Sequence, residues 1–248
     1  MKKYLFFFGI LACSAICSGQ IRVQIEDISD LASPVHISGA ISFDDDASRV
    51  IRYSYQVHGL VANASKLGVM LVVVHVEGGG LNGPSLDYTY QKDYFFDPNI
   101  LQPGKEEEFH SSPLMFGAAR VNGQVVSEDN IGGPGPTATA QVMFVQFADG
   151  STWGDGESGK EPLTVRNQTI RELDRLEGVL KKDGDQALKK ELSESANLAC
   201  IDSLISGCRD KLDSCLVDGL RFMVKTAKQH EIEMKAKSGV LDESISRR

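Results

Sequence analysis

Between residues 18 and 199 the sequence has no cysteine, so no disulfide can form within that span. Beyond residue 19 no apolar run approaches the ~18 residues of a membrane helix, which excludes a transmembrane span in a mature chain. Positive charge is also short: 26 Lys+Arg stand against 34 Asp+Glu, a net charge of −8. A surface of that sign does not select nucleic acid or anionic lipid. The five histidines (His36, His58, His75, His110 and His230) form no H-x-x-x-H pair, so no zinc signature is present. No G-x-S-x-G elbow marks a serine hydrolase. Residues 78–83 (GGGLNG) match G-x-G-x-x-G, but Pro84 and an aromatic run follow where a dinucleotide site needs a helix N-terminus. A flexible loop is expected there. Asp44, Asp45 and Asp46 are expected at a solvated hairpin tip, since Ca²⁺ needs six to eight oxygens converging from several segments. No cofactor or metal is expected, and no enzyme activity.

What is present begins with a secretory signal over residues 1–19. Lys2 and Lys3 precede an apolar run over residues 5–16, and Cys17 and Gly19 supply the small residues of a cleavage site before Gln20. Alternatively Cys13 closes a lipidation box, although bulky Leu11 stands where a small residue is usual. The expected localisation is therefore periplasmic or extracellular, with a lipid anchor as the minority case. Residues 20–160 carry 18 Asp+Glu and 8 Lys+Arg, whereas residues 161–248 carry 16 of each. The acidic half is read as solubility charge.

Ile21, Val23 and Ile25 alternate with polar residues, as do Val35, Ile37, Ile41 and Phe43, and then Ile51, Tyr53, Tyr55 and Val57. Each is the period-2 pattern of a strand with one face on a core. Residues 69–76 (VMLVVVHV) and 137–147 (TATAQVMFVQF) are apolar on both faces. Such strands lie mid-sheet and covered on both sides, or carry a bulge that swaps faces. Asn122-Gly123 is the strongest two-residue hairpin signal, because a type I′ turn needs positive φ at both positions. Seven or more short strands at this spacing predict an antiparallel β-sandwich over residues 20–155.

Asn63 and Ser65 stand in a turn before the 69–76 strand, and Leu101, Pro103, Gly104 and Phe109 form L-x-P-G-x-x-x-x-F. In these positions the chain resembles the immunoglobulin-like sandwiches of bacterial exported proteins, including the FxLYD-type group. The resemblance covers residues 20–155, lacks the Cys…Trp…Cys pattern of antibody domains, and implies a fold while assigning no activity.

After Trp153, expected as a plug where the β domain meets the helical segments, a linker is read over residues 156–163. Ile170, Leu173, Leu176 and Leu180 then space as a helix opened by the capping box Thr169-Ile170-Arg171-Glu172 and stopped at Gly184. A second helix is expected from Asp185, and a longer one carries Leu212, Leu216, Leu220, Met223 and Ala227. The expected architecture is a mainly β chain with a small helical module over residues 164–237 and a flexible tail over 238–248.

Cys200, Cys208 and Cys215 are the disulfide candidates. In an oxidising compartment one pair is expected, leaving one thiol to be buried or to join two chains. The expected role is a non-catalytic module that binds or scaffolds a protein or cell-envelope partner. The alternatives are a carbohydrate-binding or hydrolytic sandwich using Tyr88, Tyr90, Tyr94 and Trp153 as a stacking platform, and a disulfide-linked homodimer. Asn63-Ala64-Ser65 and Asn167-Gln168-Thr169 are formal glycosylation sequons.

Overall fold

The computed structural model describes residues 21–45, 52–80, 86–112, 114–117, 119–121, 124–126, 134–194 and 212–245. The chain is mainly β with two helices. Its strands are β1 (Ile21–Asp27), β2 (Val35–Asp45), β3 (Arg52–Asn63), β4 (Val69–Gly80), β5 (Leu86–Asp93), β6 (Glu106–His110), β7 (Leu114–Gly117), β8 (Ala119–Val121), β9 (Gln124–Val126), β10 (Pro134–Phe147) and β11 (Thr152–Gly154). Helices α1 (Gly156–Glu194) and α2 (Leu212–Ile245) complete the chain order.

Nine strands form one sheet along the path β5-β4-β10-β1-β2-β3-β6, with β11 on β10 and β7 on β3, while β8 and β9 pair separately. The sheet is mixed, which corrects the expectation of an antiparallel one. Residues 21–24 of β1 pair antiparallel with β2, and residues 25–27 pair parallel with β10. Because β2 and β10 run opposite ways, a strand inserted between them can be antiparallel to only one. This hand-over divides the path into two arms. Their free ends meet across the core, where Tyr90 of β5 stacks on Phe109 of β6 at 4.2 Å between ring centroids. Lys92 and Glu107 approach to 4.0 Å at the same seam. The sheet is therefore nearly closed around Ile37, Ile41, Val57, Val61, Val72, Val74 and Val145.

The two strands with apolar residues on both faces are neighbours in this path. In β4, Val72, Val74 and Val76 point into the core, while Leu71 and Val73 lie outside with Phe144 under Leu163 of α1. In β10 the register slips between Val142 and Phe144. Ala138, Ala140 and Val142 face the core before the slip, and Val145 and Phe147 face it after. Central position and a face-swapping bulge operate in the same strand.

Three expected loops are partly strand or helix. Gly78, Gly79 and Gly80 continue β4, paired with Ala138, Thr137 and Pro134 of β10, since a ladder needs backbone groups and no side chain. Asp44 and Asp45 end β2 opposite Ser54 and Tyr53. Residues 156–163 are the first turns of α1 rather than a linker. Asp155 caps that helix: its Oδ1 accepts the Glu157 N–H at 3.1 Å and its Oδ2 the Ser158 hydroxyl at 2.9 Å. These bonds, the Glu157 N–H first, hold the exposed carboxyl below its ordinary pKa. α1 breaks at Gly184 (φ 81°) as its stop residue predicts, and α2 runs to Ile245, through most of the expected tail.

The helices pack on the outer face of the β4–β10 arm and on each other. Leu173, Leu176, Leu180 and Leu188 meet Val217, Leu220 and Val224, and Lys228 reaches Glu177 at 2.8 Å. Gly159 permits the close approach to the sheet: a Cβ there would lie 2.5 Å from the Phe144 ring, whereas one at Gly178 would meet nothing within 4 Å. Helix propensity alone favours Gly→Ala by about 1 kcal/mol at either position. Overpacking costs about 1–3 kcal/mol, so it wins at the first site only. Gly178→Ala should raise the urea midpoint and Gly159→Ala should lower it. A rise in both would show that α1 does not seat on Phe144.

Candidate functional site

The best-formed site lies where α1 and α2 cross the end of the β4–β10 arm. β5 stops at Asp93, whose Oδ1 accepts the Phe95 N–H at 3.0 Å and turns the chain. Arg166 of α1, only 4% exposed, donates to both oxygens of that carboxylate, Nε to Oδ2 and Nη2 to Oδ1, each at 2.8 Å. Its Nη1 donates to Gln146 Oε1 of β10, and its guanidinium lies 4.8 Å from the Phe95 ring centroid. His230 of α2, also buried, bonds Phe95 O through Nδ1 at 2.9 Å. A carbonyl only accepts, so Nδ1 carries the hydrogen. Sheet, α1 and α2 thus converge on the short segment Asp93-Tyr94-Phe95.

Beside this junction opens a groove of about 710 Å³, with apolar walls from Phe95, Leu163, Ile170 and Met234. That volume is in the range of small-molecule sites, roughly 300–1,000 Å³. Its cations are already paired: Arg166 with Asp93, and Lys235 with Glu231. Ser151 donates its hydroxyl to Asp149 Oδ1 at 2.6 Å, closing the β10–β11 turn. Among the described residues that line the groove there is no histidine or cysteine.

No family model, curated protein or solved structure matches this chain. The groove and the side chains around it are therefore what a functional reading has to rest on.

The aromatic platform is not assembled. Tyr90 and Tyr94 are core residues, and Tyr88 and Trp153 pack against the core half-buried. Burial, then Glu107 for Tyr90 and Tyr90 itself for Tyr94, pushes both hydroxyls above the ordinary phenol range. Trp153 sits on β11 opposite Val145, a residue of the inner face. Paired residues of an antiparallel ladder share a face, so Trp153 closes the edge of the β core.

Asn63 is 1% exposed and uses its amide in hydrogen bonds to Leu67 O and Leu101 O, so that sequon cannot take a glycan once folded. Asn167 is exposed on α1. Cys13, Gly19, Gln20, Cys200 and Cys208 lie outside the described residues, as do the signal, lipidation and disulfide expectations that depend on them. Cys215 falls within α2. Among the described residues no helix is long and apolar enough to cross a membrane.

Two histidine pairings escape linear spacing. His75 Nε2 lies 2.9 Å from Asp87 Oδ1 across β4 and β5. His58 and His110, 52 positions apart, are direct cross-strand partners on β3 and β6. Only the strand register could have shown the second pair, and that register depends on a loop-separated edge strand.

Proposed function

We propose that this chain is an exported, non-catalytic binding or scaffolding module on an immunoglobulin-like sandwich, with the helix–sheet groove as its binding site. The observation that carries this is the groove itself: roomy, walled by apolar side chains, and with its ion pairs satisfied internally. Such a site gains affinity by burying an apolar or aromatic group. The β1 hand-over and the Tyr90–Phe109 seam support the sandwich reading, since they bring two arms face to face. The charged start, apolar run and small cleavage residues of the first 19 positions support export.

A hydrophobic fluorophore such as anilinonaphthalene sulfonate tests the site. Saturable binding to the folded protein is expected, weakened at least tenfold by Ile170→Glu and by Met234→Glu. Tenfold corresponds to about 1.4 kcal/mol, a modest demand for a charge placed in an apolar wall. Circular dichroism on both variants separates lost binding from lost fold. Equal binding by folded wild type and folded variants would remove the groove from consideration.

A further inference from the structure

The helices cover one arm of the sheet; the other arm presents His58 and His110 on its edge. The two Nδ1 atoms are 3.0 Å apart, with the rings inclined at 69° and centroids 5.0 Å apart. Glu108 Oε2 stands 3.8 Å from the far nitrogen of His110, Nε2, whose side chain is 51% exposed. Among the described residues no group of three or more His, Cys, Asp or Glu is assembled around a common point. Any metal held here would take two protein ligands and complete its shell with solvent.

We propose that His58 and His110 form a two-nitrogen site for a divalent transition metal, with Glu108 as the positioning residue. Two imidazole nitrogens that close are aimed at shared space, and in the metal-free pair one Nδ1–H fills it by donating to the other nitrogen. At metal–nitrogen distances of about 2.0–2.1 Å, a 3.0 Å separation subtends roughly 95° at the metal. That is the cis angle of square-planar or octahedral ions and is narrower than the tetrahedral angle zinc prefers. The series of divalent affinities puts Cu²⁺ first, then Ni²⁺. Binding requires the hydrogen on one Nδ1 to move through solvent to Nε2, leaving both rings neutral and both Nδ1 lone pairs on the metal. The Nε2–H of His110 then faces the Glu108 carboxylate, which is how ligating histidines are commonly oriented. The site is independent of the groove, being on the opposite arm.

The test is titration of the purified protein with CuCl₂ in a non-chelating buffer, followed by calorimetry and electron paramagnetic resonance. One equivalent is expected to bind with a two-imidazole nitrogen pattern. His58→Gln and His110→Gln should each weaken it at least tenfold and remove that pattern, while Glu108→Gln weakens it roughly tenfold and keeps both nitrogens. His75→Ala serves as the control and should change neither readout. His110 is exposed, so its variant keeps the question open should His58→Gln unfold. Absence of saturable binding, or an unchanged spectrum in folded His110→Gln, overturns the proposal.

Discussion

Arg166→Ala is expected to lower the stability of the chain by about 3 kcal/mol, toward the lower end of the roughly 3–5 kcal/mol range for breaking a buried pair. The low end applies because the Asp93 side chain is still 18% exposed and water can partly solvate the carboxylate left behind. Against a total stability of about 5–15 kcal/mol this is a large loss. Three consequences add up in the same direction. Asp93 keeps only the Phe95 N–H as a described partner, Gln146 loses the donor on its Oε1, and the Phe95 ring loses the guanidinium stacked against it. The charge itself is not what the fold requires. Replacing both partners by apolar residues of similar volume, Asp93→Leu with Arg166→Met, should recover about half of that loss, since the desolvation and attraction of the pair vanish together while the bonds to Gln146 Oε1 and the Phe95 N–H stay lost. Urea unfolding with an unchanged slope is the measurement. A loss below about 1 kcal/mol in Arg166→Ala would mean that the pair behaves like a surface bridge and that α1 is held by its apolar face alone.

The clamp explains why the fold and the site differ in how far they can be read from residues alone. Alternation in 21–25, 35–43 and 51–57 places β1, β2 and β3 directly, and the double-faced pattern of 69–76 and 137–147 places β4 and β10 mid-sheet, because period and burial are local properties. The parallel contact of β1 with β10 is not local. It depends on which edge the last strand adopts, and no residue type encodes strand direction. Residues 156–163 mislead for a similar reason: Gly, Ser and Pro give them the composition of a linker, yet Asp155 caps a helix there and Gly159 lets it lie on Phe144. Arg166 reads as one more charged helix residue, since its partners Asp93 and Gln146 are 73 and 20 positions away. The groove inherits that illegibility, being defined by three elements that meet only after folding.

Asn63→Ala is expected to cost about 3 kcal/mol, from four side-chain hydrogen bonds worth roughly 1 kcal/mol each with partial compensation by water. Its Nδ2 donates to Leu67 O at 2.8 Å and Leu101 O at 2.9 Å, and its Oδ1 accepts from Ser65 N at 2.9 Å and the Ser65 hydroxyl at 2.7 Å. The backbone of Asn63 bonds Lys105 O and Gly104 N as well. The amide therefore ties the β3–β4 turn to the 101–105 loop. Asn63→Asp should be at least as damaging, although it preserves shape, because an ionised carboxylate donates nothing and would face two carbonyl oxygens. Measured against wild type at the same pH, acid should partly relieve the Asp variant and leave the deficit of the Ala variant unchanged, since a protonated carboxyl can donate one of the lost bonds. Ser65→Ala, which removes the hydroxyl and spares the amide, should cost about 1 kcal/mol. Denaturant unfolding of the three variants at neutral and acid pH orders them. An Asp variant milder than the Ala variant at neutral pH would show that Asn63 acts by shape alone. The expected order would instead make Asn63 a structural knot, a buried asparagine that closes two loops at once.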